Sequence, residues 1–311
     1  MKKKSLIARY ALFTMIFLSL PLQAHENTSD GRPLKLKHHE PNFVGYTKDN
    51  DDRRFMDFTL SLQHPVFFEN LNWGNNKYHV LPYFAFTGRF GQYIGTRDSS
   101  PVIAKRFNPK VFFRFAESFP EKESPNNYID LEYAHESNGQ HVNTLGTFQT
   151  MAQDLGGNQE FAKDYISRGW DYWGFTLKNR LDDSNNDTGW FAYISRKWYC
   201  GCLMQKDMEE VFDWEDPREI HSIKQVSGWR LMARRTDNGS KLFDRVVMIL
   251  DTGVRDSLQY NTYRVELGFR PVSRLFGVPF VFWYRGGYLS DIAQYHKRGH
   301  SYGGAFVFET F

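Results

Sequence analysis

The sequence predicts an all-β chain closed into a transmembrane antiparallel β-barrel. Three observations carry that expectation. From Phe55 onward the dominant pattern is alternation with a period of two, with no sustained helical period. Aromatic residues are abundant, with 28 Phe, 17 Tyr and 8 Trp making 17% of the 311 residues, yet the mean hydropathy is negative. That combination suits a wall with aromatic girdles around a wet interior. Finally, no segment beyond the first two dozen residues is apolar for long enough to form a membrane helix.

Residues 1–24 read as a secretory signal. Lys2, Lys3, Lys4 and Arg9 make a basic start, and Tyr10 to Leu20 is an apolar run too short to span a bilayer. Pro21-Leu22-Gln23-Ala24 offers a cleavage site. Residues 25–50 are polar and mixed and read as a periplasmic arm, with His38-His39 better explained by solvation than by a metal. Residues 51–311 read as the barrel domain.

Within it, Met56, Phe58, Leu60 and Leu62 alternate with Asp57, Thr59 and Ser61. The same parity recurs at Val111, Phe113 and Phe115 around Arg114, and at Asp171, Trp173, Phe175 and Leu177 around Tyr172, Gly174 and Lys178. It returns at Trp229 to Arg234, Tyr263 to Arg270 and Phe280 to Arg285. So many long charged side chains on the second face need water or each other, which a barrel lumen provides and a dry core does not. The runs amount to roughly ten to twelve strands, an even number being expected of a bacterial barrel.

Turn signals separate the runs, such as Gly74-Asn75-Asn76, Asp182 to Asp187, Asp237-Asn238-Gly239 and Gly286-Gly287. Two inserts are longer. Residues 141–164 are rich in Gly, Gln and Asn, and residues 203–225 are acidic with room for a short helix. Cys200 and Cys202 leave three options open: a bridge to each other, a bridge between chains, or free thiols. A net charge of +3 without a basic cluster gives no support to a nucleic-acid partner.

The chemistry concentrates at Tyr133-Ala134-His135-Glu136-Ser137-Asn138-Gly139. On a strand, His135 and Ser137 share a face. It is the face of Leu131 and Tyr133, while Glu132 and Glu136 take the other. An imidazole next to a hydroxyl is half of a nucleophilic triad, with His135 as base and Ser137 as nucleophile. The base needs a third group to fix its tautomer. Asp171, on the apolar parity of the next alternating run, is the candidate. A lipid-facing carboxylate with no cation-forming neighbour would be costly. The competing reading makes His135 an interfacial aromatic, Ser137 a small filler and Asp171 a strand-start cap.

His135-Glu136-Ser137-Asn138-Gly139, with Ser167-Arg168-Gly169-Trp170-Asp171 downstream, resembles the signature of the outer-membrane phospholipase A family. Ser99-Ser100-Pro101, Phe107-Asn108-Pro109-Lys110, Lys197-Trp198-Tyr199, the run Tyr284 to Ile292 and the terminal Phe311 are similar too, in the same order along most of the mature chain. The resemblance implies a twelve-stranded barrel in the outer membrane, with a lipid-facing triad of Ser137, His135 and Asp171. Implied with it is calcium-dependent hydrolysis of sn-1 and sn-2 esters of phospholipids and lysophospholipids, switched on by homodimerisation. Calcium would be held by the Ser167 hydroxyl, the Gln140 carbonyl and the Ser99 carbonyl of a second copy, and the Gly139 amide would serve the oxyanion. Asp171 stands where the family often has Asn. Gly88 stands where the family has a glutamine that pairs across its dimer.

Two alternatives accompany that reading. One is a barrel lipid A deacylase, with a smaller barrel and a Glu partner for its His. The other is a non-enzymatic pore.

Overall fold

The computed structural model describes residues 36–49, 53–66, 71–73, 78–117, 125–182, 189–203, 212, 214–215, 222–237, 240–253, 260–288 and 291–308. The proposed signal, residues 25–35 and 50 of the arm, and Phe311 lie outside these residues.

The strands are β1 (Asn42–Asp49), β2 (Arg54–Pro65), β3 (Leu71–Trp73), β4 (Tyr78–Tyr93), β5 (Val102–Ala116), β6 (Tyr128–Ser137) and β7 (Gly169–Arg180). They continue with β8 (Gly189–Cys200), β9 (Trp229–Thr236), β10 (Phe243–Asp251), β11 (Thr262–Phe269), β12 (Phe280–Tyr288) and β13 (Arg298–Phe308). Neighbours in sequence pair antiparallel around the ring. β1 pairs β13, and β2 pairs β4 from Phe55↔Tyr93 to Pro65↔Tyr83. The three-residue β3 continues the line of β2 along the same strand, from Leu71↔Val80 to Trp73↔Tyr78. The wall is therefore a closed twelve-stranded barrel, at the upper end of the count read from alternation.

The two parities separate as the sequence indicates. Leu131, Phe113 and Trp173 stand outward, 48%, 52% and 55% exposed. The opposite parity is buried and ion-paired. Arg114 meets Asp130 at 2.7 Å, Lys110 meets Glu132 at 3.2 Å, and Glu136 lies between Arg106 at 2.9 Å and Lys197 at 2.6 Å. Each of these inward charges thus faces an opposite charge from another strand. This is how a lumen narrow enough to be filled by side chains tolerates them.

The arm boundary needs correction. Residues 42–49, assigned to the arm on their polarity, form β1, with Val44 and Tyr46 outward and Asn42, Thr47 and Asp49 buried. Gly45 and the polar inward positions hide the alternation, because the inner face of this barrel is itself polar. Before β1, Lys37 bridges Gln63 whereas Phe43 pairs Thr59. That shift of register bulges the intervening residues out of the ladder. His39 then sits against the Phe112 ring, with centroids 5.1 Å apart, and reaches Gln63 at 3.2 Å. His39 of the His38-His39 pair is therefore a packing residue.

Tracing the strands puts both long inserts at one end, with 138–168 joining β6 to β7 and 201–228 joining β8 to β9. The first insert folds into α1 (Leu145–Asp154) and α2 (Gln159–Lys163). Thr144 caps α1 through a reciprocal bond pair with Thr147. Phe148, Ala152, Ala162 and Ile166 form a small core closed by Phe212 and Trp214 from the second insert. A four-residue helix, α3 (Ile223–Val226), occurs where the acidic insert ends.

Asp164 locks this assembly to the barrel mouth. Its buried carboxylate accepts from Arg53 at 3.3 Å and Tyr93 at 3.1 Å, and also from Arg97 and Gln294. Nearby, Asp291 in the 289–297 connection accepts from the Ala293 amide at 3.0 Å, while its buried Oδ2 has no hydrogen-bond partner among the described residues. Burial, and then the Asp164 charge, push its carboxyl up to about 7. A carboxyl raised in the folded state is protonated there and ionised in the unfolded chain, from about pH 4 to pH 7. Stability from this group therefore falls as pH rises through that window and is flat above it. Hydrogen-exchange protection factors of the 138–168 and 291–297 segments, corrected for the intrinsic pH dependence of exchange, should fall from about pH 4 to pH 7, and Asp291→Asn should flatten that trend. Equal slopes in both proteins would exclude Asp291 as its source.

Candidate active site

β6 and β7 run side by side with His135 opposite Asp171 and Ser137 opposite Gly169. The register alone therefore delivers the imidazole to the carboxylate. His135 Nδ1 lies 2.8 Å from Asp171 Oδ1. Both residues and Ser137 share the outward parity of Leu131 and Trp173, so the pair faces away from the ion-paired lumen. Asp171 is nevertheless 0% exposed, because neighbouring side chains cover it. Its second oxygen accepts from the Tyr133 hydroxyl at 2.7 Å. With Nδ1 engaged by the carboxylate, Nε2 is the nitrogen left to handle a serine proton. The Ser137 hydroxyl makes no hydrogen bond among the described residues. It shares a face with the ring without bonding to it.

The backbone under His135 has its own device. The β5–β6 ladder jumps from Phe107↔Ser137 to Lys110↔Ala134, leaving Asn108 and Pro109 unpaired opposite Glu136 and His135. Pro109 has no N–H to give the ladder. Asn108 Nδ2 donates instead to the His135 carbonyl at 3.0 Å, and Tyr172 holds the Asn108 amide oxygen at 3.1 Å.

Beyond Ser137 the chain turns sharply. Gly139 has φ +60°, where a side chain would be strained and would also meet the Phe107 ring 3.1 Å away. Asn138 pins the turn to the strand entering β7. Its amide donates to Arg168 O at 3.1 Å and its Nδ2 to Ile166 O at 2.8 Å. Its Oδ1 accepts from Arg168 N at 3.0 Å and Gln140 N at 3.2 Å. The Gly139 N–H has no acceptor among the described residues and sits two residues beyond Ser137.

These bonds bring Gln140 and Ser167 onto neighbouring segments, with Ser167 N donating to Val142 O at 2.8 Å. Neither the Gln140 carbonyl nor the Ser167 hydroxyl carries a hydrogen bond among the described residues. Both are hard oxygen donors, the type a calcium ion takes. Ser99 lies in the β4–β5 connection with φ +60°, followed by Ser100 at +43°. No group of three His, Cys, Asp or Glu side chains is disposed around a metal among the described residues. The oxygen set is neutral, so it fits a weakly held cation that keeps several waters. Cys200 and Cys202 form a disulfide with each other, which settles the three options for the pair.

No protein-family model and no curated relative matches the sequence. Solved structures do. The calcium-bound dimer of the Salmonella typhi outer membrane phospholipase matches with a TM-score of 0.58 at 16% identity, over 89% of this chain and 93% of that one. The chain has the barrel fold of outer membrane phospholipase A. An active-site mutant of that protein from Escherichia coli matches with the same TM-score of 0.58 at 15% identity, over 93% of this chain and 95% of the other. A further Escherichia coli structure of outer membrane phospholipase A gives 0.58 at 14% identity, over 89% and 99%.

On this fold, sequence reasoning assigned no task to Tyr133, Asn108 and Asn138. Tyr133 has the parity of His135 and lies two residues before it, which is the signal that could have singled it out. Pro109 in a strand interior could have prompted a search for a substitute donor, and Asn108 is adjacent to it. The tie from Asn138 to the 166–168 segment spans a 28-residue gap that no local pattern shows.

Proposed function

We propose that this chain is a calcium-dependent phospholipase of the outer membrane, exported by the 1–24 signal and active as a homodimer on sn-1 and sn-2 acyl esters of phospholipids and lysophospholipids. One observation carries the reading. Ser137, His135 and Asp171 stand together on the apolar outer wall, at the end bearing the long inserts, where an acyl ester in a leaflet would meet them.

In this reading the Ser137 Oγ attacks the ester carbonyl while His135 Nε2 takes its proton. Asp171 holds Nδ1–H and stabilises the imidazolium. The Gly139 N–H donates to the oxygen that becomes negative. The imidazolium then returns its proton to the leaving glycerol oxygen. Water, deprotonated by the same ring, releases the fatty acid and restores Ser137. Calcium held by the Ser167 hydroxyl, the Gln140 carbonyl and the Ser99 carbonyl of a second copy would supply positive charge beside the oxyanion. A neutral donor set split between two chains leaves a lone chain without that charge. The dimer contact in this reading falls on the outer face of β4, where Phe86 and Phe90 flank Gly88 with ring atoms 3.1 Å from where a Cβ would stand.

A serine-directed sulfonyl fluoride tests nucleophile and ion together. Mass spectrometry should find the label on Ser137 with calcium and lose it with a chelator, in parallel with fatty-acid release from phosphatidylethanolamine micelles. Release undiminished by the chelator would remove calcium from the reading. Release of hydroxylated acyl chains from lipid A, with phospholipid untouched, would replace the substrate.

A further inference from the structure

A buried carboxylate on a lipid-facing wall has to be matched by donors. Asp171 has a donor on each oxygen: His135 Nδ1 on Oδ1 and the Tyr133 hydroxyl on Oδ2. The Tyr133 hydroxyl in turn accepts from the Leu203 N–H at 3.2 Å. Leu203 is the first residue after the Cys200–Cys202 bridge, and Cys200 is the register partner of Asp171 on β8. The Tyr133 ring packs on Trp173 with centroids 5.0 Å apart. A line of hydrogen bonds therefore runs from a disulfide-closed turn, through Tyr133 and Asp171, to the imidazole.

We propose that Tyr133, held by the disulfide-closed turn 200–203, is a positioning residue that fixes the Asp171 carboxylate against His135. The inference rests on the hydrolase reading above. Its physical reason is rotational. An aspartate bonded at one oxygen can swing about its terminal torsion and trade oxygens at the ring. A second donor on the other oxygen fixes the plane of the group and spreads its charge. The Leu203 amide fixes the donor in the same way, since a phenol oxygen that accepts from a held N–H has its single O–H aimed elsewhere, here at Asp171. The bridge keeps Leu203 in place by closing the turn over two residues.

A purely packing role for the ring predicts that Phe serves equally well, so Tyr133→Phe separates the two. The variant should lower kcat about 10- to 100-fold, the range for loss of a hydrogen bond to a charged group, and leave KM near its starting value. The acid limb of the kcat/KM profile should move to higher pH, because a carboxylate relieved of one donor holds the imidazolium more strongly. Reduction of the bridge in the wild type should change kcat and the acid limb in the same directions by a smaller amount. The Cys200→Ser/Cys202→Ser double variant should reproduce that change. Neither should add to Tyr133→Phe, because all three act on one line of bonds.

A wild-type kcat and an unmoved acid limb in Tyr133→Phe would overturn the proposal. Indifference of the wild type to reductant would overturn the part played by the turn, and that measurement needs no substituted protein to fold. Activity surviving in Ser137→Ala would instead overturn the hydrolase reading itself.

Discussion

Ser137→Ala should reduce turnover of a phospholipid ester by at least about a thousandfold, with the barrel intact. The magnitude follows from what a nucleophile does. Without the hydroxyl no acyl-enzyme can form, and what remains is whatever rate the oxyanion donor and bound ion give to direct attack by water. Folding should not suffer. Ser137 is the last residue of β6, and its hydroxyl makes no hydrogen bond among the described residues. The measurement is fatty-acid release at saturating calcium, alongside the heat-dependent gel shift of a folded barrel. His135→Ala should fall as far, and the double variant no further, because the two act as one unit. Retention of more than about a tenth of the activity in Ser137→Ala would leave His135 and Asp171 as a cross-strand pair without catalysis.

The second large effect is on stability, at the mouth. Asp164→Ala should destabilise the insert and the strand ends that it joins by about 3–5 kcal/mol, the cost of stranding buried charge. The carboxylate is 1% exposed and takes bonds from Arg53 on one connection, Arg97 on another, Tyr93 at the end of β4 and Gln294 near β13. Removing it takes a carboxylate from two buried guanidiniums, although Asp49 still lies 2.8 Å from Arg53. Arg97 keeps its hydrogen bond with Tyr165 and the faces of Tyr93 and Phe161, 4.2 and 4.1 Å away. A urea titration of protein refolded into phospholipid vesicles should show the midpoint fall, and limited proteolysis should open the 138–168 segment first. Asp164→Asn should recover part of the loss, since an amide oxygen still accepts. An unchanged midpoint in the alanine variant would mean that the insert is held by its apolar core of Phe148, Ala152, Ala162 and Ile166 alone.

Much of this molecule could be read from the residue order because a barrel wall is a periodic object. Side chains alternate between two environments, so parity alone indicates the face of His135, Ser137 and Asp171. Cross-strand proximity of His135 and Asp171 followed from assuming that consecutive strands pair. Parity fails where its contrast vanishes. β1 carries polar residues inward and only Val44 and Tyr46 clearly outward, so it passed for a tail. It is also silent on contacts made outside the ladder. The clamp at Asp164 gathers residues from four separate connections, and Tyr133 meets Leu203 across 70 positions of sequence. Asn108 was visible as part of a motif. Its task became evident only from the gap that Pro109 leaves in the ladder.

The ion-paired interior has a mechanical consequence. Flexing the wall near β6 and β7 would pull Glu136 away from Arg106 and Lys197, and Glu132 from Lys110, and so part buried opposite charges. These cross-braces resist a slip of one strand past the next, and the alignment of His135 with Asp171 is kept by the same resistance.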